Sequence, residues 1–260
     1  MPLPSRDNLR DVFFLGLNSA SDFVLSRLPG PAASCPVCSR TGRLTPVLST
    51  TGVRRAARCP GCGSLERHRL QVWTLQSHVL PVFEGRSPRV LHVAPERSVA
   101  DLLRPISGRY VTADFALPDM DIRLDLRATE LPDASFDLVY ASHVLEHIDR
   151  DLDALAEIRR ILAPGGLAVL PVPLVGDQTV EYPEPNPFEA FHVRAPGYDY
   201  YDRYTAFFDR VDLVSSEDAP ADAQTFIFED RSQWPTRTMP HRLPSLGERH
   251  RDVVPLCWVD

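Results

Sequence analysis

Four of the five cysteines fall in two pairs, Cys35-Pro-Val-Cys38 and Cys59-Pro-Gly-Cys62, with 20 residues between them. Two Cys-x-x-Cys knuckles at this separation predict a tetrahedral zinc site and not disulfides. Gly61 and Gly63 give the second knuckle freedom to turn. Four thiolates fill the coordination shell, so the ion is expected to be structural. It either braces a segment too short to hold a core of its own or builds a ribbon that grips nucleic acid beside the local arginines. Three histidines further on, His143, His147 and His192, carry imidazoles that take and release protons near neutrality. Cys257 stands alone in an apolar run and reads as a small core hydrophobe.

The elements that must position these groups are clearest in residues 131–166. Residues 136–141 (FDLVYA) are a short apolar run, as expected of a strand inside a parallel sheet. Leu145, Ile148, Leu152, Leu155, Ile158 and Leu162 then recur at helical spacing and predict one long amphipathic helix. Pro164, Gly165 and Gly166 are expected to stop it, and a strand over 167–172 follows. Upstream, strands are predicted at 90–94, 110–113 and 122–126, with a helix over 96–103. The alternation predicts a doubly wound, Rossmann-like parallel sheet, an α/β fold preceded by the small four-cysteine module. Residues 253–259 read as the last strand, with Pro255 marking a sheet edge.

The wording of these segments resembles the class I S-adenosylmethionine-dependent methyltransferases. The spellings that carry the resemblance are LPDASFD (131–137) and VLEH (144–147). The first motif, LHVAPE (91–96), and CGSLERHRL (62–70) resemble a zinc-ribbon subgroup of bacterial biosynthetic pathways. The resemblance implies that ligands sit at the carboxyl ends of the strands. It puts His92, Ala94 and Glu96 in the first loop, which departs from the usual glycine-rich spelling. Glu96 would meet the cofactor's ammonium or serve as a helix-start acid. Asp114 corresponds to the ribose-binding acid, 18 positions beyond Glu96. Asp125 and Leu126 correspond to the adenine-binding positions, with Asp121 as the fallback, and Ser142 and His143 to the floor beside the sulfonium.

Methyl transfer is an in-line displacement, so the site must align acceptor and methyl and exclude water. A general base helps where the acceptor is a hydroxyl. His192, in FHVR (191–194), is the favoured base or substrate anchor, with His143 and His147 beside it and Glu181 and Tyr182 as orienting groups. His147 reads more readily as a structural histidine, since neutral imidazoles satisfy buried carbonyls. Arg194 has the planar fork that binds a carboxylate or phosphate. Residues 174–205 hold eight aromatics or histidines and read as an insertion covering the substrate; the run 197–204 stacks on a ring or belongs to the core.

The expected organisation is an N-terminal helical arm and linker (1–33), zinc ribbon (34–64), connecting helix (65–86) and methyltransferase domain (87–260). The connecting helix opens with half a capping box at Ser64. Residues 1–80 hold ten arginines and four acids, a surplus of six, leaving -13 of the net -7 to the rest. All 28 basic residues are arginine, which reflects codon bias. With no membrane-length apolar run and no leader pattern, the expected location is cytoplasmic, without membrane contact. The expected activity is O- or N-methylation of a small molecule, a sugar or secondary metabolite, with S-adenosylmethionine and structural Zn2+. The alternatives are an RNA methyltransferase and a methyltransferase-like binding module without catalysis. The acidic body speaks against nucleic acid, and the apolar arm offers a surface to a second copy, a homodimer.

Overall fold

The computed structural model describes residues 32–49, 52–229, 231 and 248–260. The expected N-terminal helical arm lies outside the described residues. In the cysteine module, β1 (Ala33–Ser34) pairs with β2 (Thr41–Gly42), and β3 (Thr45–Ser49) with β4 (Gly52–Arg58), both antiparallel. Helix α1 (Glu66–Thr74) follows and continues through a π turn (Leu75–Val79) and a 3-10 turn (Leu80–Phe83). Its start is not the Ser64 box that the sequence suggests. The Leu65 N–H donates to His68 Nδ1 at 3.0 Å, while the Ser64 hydroxyl turns to the cysteines.

The main sheet is built from β5 (Arg89–Val93), β6 (Arg109–Asp114), β7 (Ile122–Arg123), β8 (Phe136–Ala141), β9 (Leu162–Val169), β12 (Arg210–Ser215) and β13 (Val253–Trp258). Its order is β12-β13-β9-β8-β5-β6-β7. The first five in sequence are parallel, whereas β13 runs antiparallel to both β9 and β12. The chain leaves β5 outward to β6 and β7 and then returns to β8 on the other side of β5. Strand order therefore reverses between β5 and β8, where a crevice opens at the carboxyl ends. Alternation divides the core. Leu91, Val93, Val139 and Ala141 pack with α3 (Asp151–Ile161) and with Tyr200 and Tyr204. Val90, Leu138 and Tyr140 pack against α1, its following turns, and α2 (Arg97–Leu103). The tyrosine run thus belongs to the core. Cys257 is fully buried in it, as expected.

Four expectations are corrected. The long helix over 145–162 is a 3-10 turn (Leu145–His147), an extended break and then α3; Leu152 is 48% exposed, and Ala154, Leu155, Ile158 and Ile161 form the buried face. Pro164 to Gly166 do not stop a helix, since α3 has already ended at Ile161. They lie within β9, where Gly165 takes φ +71° and the Gly165 N–H donates to Val259 O at 2.8 Å. The third strand ends at Arg123, because Asp125 onward turns into the pocket. Pro255 does not mark an edge: β13 lies inside the sheet, and Pro255 faces Leu213 one residue before pairing with β9 begins at Leu256. Its missing N–H therefore removes no bond to β9. The edge strand is β12.

One buried guanidinium ties the cysteine module to this sheet. Arg69 of α1 has no exposed surface. Its Nη1 donates to Ala57 O (2.8 Å) and Ser64 O (3.0 Å), its Nε to Ala223 O (3.0 Å) and its Nη2 to Gln224 O (2.6 Å). Removing it leaves buried carbonyls without donors, so Arg69→Ala is expected to lower unfolding free energy by about 3–5 kcal/mol in a denaturant titration. Arg69→Lys should recover little, because an ammonium cannot reproduce the fork.

Candidate active site and cysteine cluster

The two knuckles fold alike. The Cys35 N–H donates to Arg40 O and Ser39 N–H to Cys35 O; the Cys59 N–H donates to Ser64 O and Gly63 N–H to Cys59 O. Each turn closes through a left-handed residue, Ser39 (φ +58°) and Gly63 (φ +76°). Gly61 contributes in another way: a Cβ there would come within 2.9 Å of Arg40 Cδ. The four sulfurs lie within 4.8 Å of one another. Sγ of Cys35 and Cys62 are 3.8 Å apart, and Sγ of Cys38 and Cys59 3.7 Å. Tetrahedral zinc with Zn–S of about 2.3 Å spaces its thiolates by about 3.8 Å. The residues fit the ion.

A cavity of 630 Å³ opens at the strand reversal. Val93 and Ala94 after β5, Asp114 and Phe115 after β6, and His143 and His147 after β8 line it. Leu124 to Arg127 form another wall, and Pro185 and Val193 reach it from a hairpin of β10 (Val180–Asn186) and β11 (His192–Ala195). Ala94 and His143 are left-handed, φ +47° and +54°, a conformation that disfavours any Cβ by about 1–2 kcal/mol. Neighbouring strands hold both. The Ala94 N–H donates to Ala113 O (2.8 Å) and the His143 N–H to Pro171 O (2.9 Å).

Asp114 Oδ1 accepts the N–H groups of Ala116 and Leu117 at 2.7 and 2.9 Å, and Oδ2 has no such partner among the described residues. The carboxylate is fixed by one oxygen and open at the other. Phe115, beside it, is 57% exposed, a flat apolar face in a polar rim. Asp125 is held by Arg127, Nη2 to Oδ2 at 2.8 Å, which keeps its carboxyl below the usual range. Asp121 is elsewhere, accepting from Thr112.

Between the cavity and the hairpin lies Glu146, fully buried, with neither carboxylate oxygen hydrogen-bonded. His143 Nδ1 is 3.5 Å and His192 Nε2 3.9 Å from its Oε1, and the rings of His147 and His192 meet edge to face at 4.7 Å. Burial opposes ionisation of Glu146, but the histidines more than offset it and hold the carboxyl low. Burial pushes His192 down to about 4.

Of the residues proposed from sequence, Ala94, Asp114, Asp125, Leu126, His143 and His147 line the cavity, and His192 stands behind His147 without lining it. Three others serve the scaffold. His92 is buried against Tyr110 OH (Nδ1, 2.7 Å), and Ser142 accepts from Gln71 Nε2 at 2.9 Å. Glu96 contacts His68 at 3.4 Å and Arg67 at 3.5 Å, not the cavity. Arg194 is no anion site. Buried, it donates to the carbonyls of Leu145 (2.9 Å), Ile148 (2.6 Å) and Asp149 (3.0 Å) and pairs with Glu181. Tyr182 donates to Glu189. Sequence reading missed Phe115 and Glu146, although each adjoins a residue it identified.

Two outcomes test this geometry. Cys59→Ser should lower the bound metal by one equivalent and loosen the module, read as protease cleavage within 34–64. Burial disfavours ionised Glu96, yet His68 and Arg67 hold its carboxyl down to about 2. Its folded value lies below its unfolded one, so its stabilisation is complete above about pH 4.5 and is lost as pH falls towards 2. The stability gap between wild type and Glu96→Gln should close over that window in denaturant melts.

Residues 89–170 match a family model described as a methyltransferase domain. An uncharacterized 37.1 kDa protein in transposon Tn4556 of Streptomyces fradiae is 38% identical over 116 residues, covering 38% of this chain and 34% of that protein. The chain thus spans about a third of that relative's length. Among solved structures, a SAM-dependent methyltransferase from Archaeoglobus fulgidus is 17% identical with a TM-score of 0.41, covering 56% of this chain and 71% of that one. An S-adenosylmethionine-dependent methyltransferase from Mesorhizobium loti is 15% identical with a TM-score of 0.44, covering 66% and 91%. The matched segment runs from β5 to the end of β9 and supplies every cavity wall except the hairpin. Residues 89–170 are thus the part of the chain that is similar to a methyltransferase domain.

Proposed function

We propose that this chain transfers a methyl group from S-adenosylmethionine to an oxygen or nitrogen of a small molecule, a sugar or secondary metabolite. The observation that carries the reading is the division of the cavity. Asp114 with its open oxygen, Phe115, Asp125 and Leu126 come from the β6–β7 side of the sheet, and His143 and His147 from the β8 side. When bound, the cofactor supplies an electrophilic methyl on a sulfonium. Asp114 would accept the ribose hydroxyls, Phe115 would stack on the adenine, and Asp125 and Leu126 would meet its polar edge. The left-handed backbone at Ala94 and His143 lets both loops approach the ligand closely.

At the acceptor end, His143 holds the proton released by a hydroxyl or amine, while Pro185 and Val193 of the hairpin exclude water. The four-cysteine module (34–64) binds structural Zn2+ and acts as a brace, joined through the connecting helix (65–86) to the catalytic domain (87–260) with its covering insertion (174–205). No helix among the described residues is long and apolar enough to cross a membrane. We place the reaction in the cytoplasm.

Calorimetric titration of the zinc-loaded protein with S-adenosylmethionine should show micromolar binding. Asp114→Ala should weaken it at least tenfold, about 1.4 kcal/mol, with an unchanged melting temperature. Absence of binding to folded wild type would favour the non-catalytic binding module instead.

A further inference from the structure

We propose that Glu146, His147 and His192 form a second metal site, for a divalent transition-metal ion, at the acceptor end of the cavity. Each offers one ligand atom, and the three atoms lie within 4.8 Å of one another. They come from two elements that the fold brings face to face. Glu146 and His147 belong to the 3-10 turn after β8, and His192 opens β11 of the covering hairpin.

The strongest indication is the carboxylate. Glu146 has no exposed surface, and both its oxygens lack a hydrogen bond. A buried carboxylate without donors is expensive unless a positive charge stands against it. The buried guanidinium of Arg194, bonded to the carbonyl of the preceding Leu145, is committed elsewhere, since it spends its donors on three carbonyls, Glu181 and Asp151. His192 Nε2 stands 3.9 Å from Glu146 Oε1 without bonding to it, as two ligands around a shared centre would, whereas His143, 3.5 Å from the same oxygen, is an ion-pair neighbour outside the set. Around a bound ion such atoms stand about 3–3.5 Å apart, so a small rotation of His147, the exposed member, completes the set.

Two imidazoles and one carboxylate suit Zn2+, Fe2+, Co2+ or Mn2+ better than Ca2+. Three protein ligands would leave positions open, and His147 lines the cavity to which they would be exposed. The substrate class follows: an acceptor whose hydroxyl has a second oxygen beside it, a vicinal diol or hydroxycarbonyl, able to chelate the ion. Coordination would lower the hydroxyl pKa. The proton would pass to His143, the oxygen lone pair would form the bond to the methyl carbon, and the carbon–sulfur bond would break with its electrons returning to sulfur as a neutral thioether. This catalytic use rests on the methyl-transfer reading; the metal site does not.

Cobalt(II) separates the two sites. Metal-free full-length protein titrated with Co2+ should take up one equivalent with an intense thiolate charge-transfer band and a second with only weak visible bands. In His147→Ala and His192→Ala, the second equivalent should be lost while the thiolate band and the circular dichroism remain. Uptake of one equivalent by wild type, or a second that persists in both variants, would overturn the proposal. S-adenosylmethionine binding, measured on the same samples, keeps the readings apart. Cofactor binding with a single metal equivalent refutes the metal site alone, and two equivalents without cofactor binding refute the methyl-transfer reading alone.

Discussion

The cavity depends on one guanidinium. Arg194 leaves β11 and enters the protein beneath the turn that follows β8, where it takes the carbonyls of Leu145, Ile148 and Asp149. Those carbonyls would otherwise form the first bonds of a helix running on into α3. With them drawn onto Arg194, the chain makes a single 3-10 turn, extends through Ile148 and starts its helix only at Asp151. The break turns Glu146 inward and leaves His147 on the cavity wall. The same side chain fastens the hairpin to the floor, and Glu181 and Arg203 continue the network to the hairpin's outer side. Floor and cover are therefore one unit, set by directed bonds from a fork that no other side chain provides.

Arg69 repeats the device at the other end of the molecule, with carbonyls from the cysteine module on one side and from residues 223–224 on the other. From it, α1 runs to the sheet, where Gln71 reaches Ser142 at the end of β8. The path from cysteines to cavity floor is thus short: Ser64 Oγ lies 3.3 Å from Cys35 Sγ, Ser64 O accepts from Arg69, and two residues on Gln71 touches the loop that carries His143. This gives the brace a physical meaning. A metal bound in the knuckles would fix Ser64, and through α1 the residue preceding His143.

The middle of the fold was legible because it is redundant in the sequence. Residues 136–141 and 89–93 are apolar runs broken only by Asp137, Arg89 and His92, the near-continuous pattern of a sheet covered on both faces. Asp114 and Ala94 were legible through strand ends and spelling. What failed had its cause far away in the chain. Leu152 satisfies helical spacing, yet the carbonyls that would have begun its helix earlier are taken by Arg194, 45 or more positions later. Pro255 reads as an edge until β12, polar on alternate positions and easily passed over, is seen to lie beyond it. Glu96 resembles a ligand for an ammonium until His68 and Arg67 of α1 are found against it. Spacing along a chain shows periodicity; it does not show which charges a distant segment has claimed.

The loop after β5 shows how a departure from a familiar spelling can preserve geometry. Its first bend needs a left-handed residue, a place that suits glycine, and alanine occupies it at φ +47°. Glycine would relieve the strain, but it would also give the unfolded chain more freedom to lose on folding, an effect of about 0.4–1 kcal/mol in the opposite direction. The strain is the larger of the two effects and the entropy offsets only part of it, so alanine is tolerated because the bend is held from outside. The bond from the Ala94 N–H to Ala113 O holds it, and Glu96, two residues on, is held by α1. Glu96 thus serves the cavity without touching it: it fixes the far side of the bend whose near side Ala94 presents to the ligand.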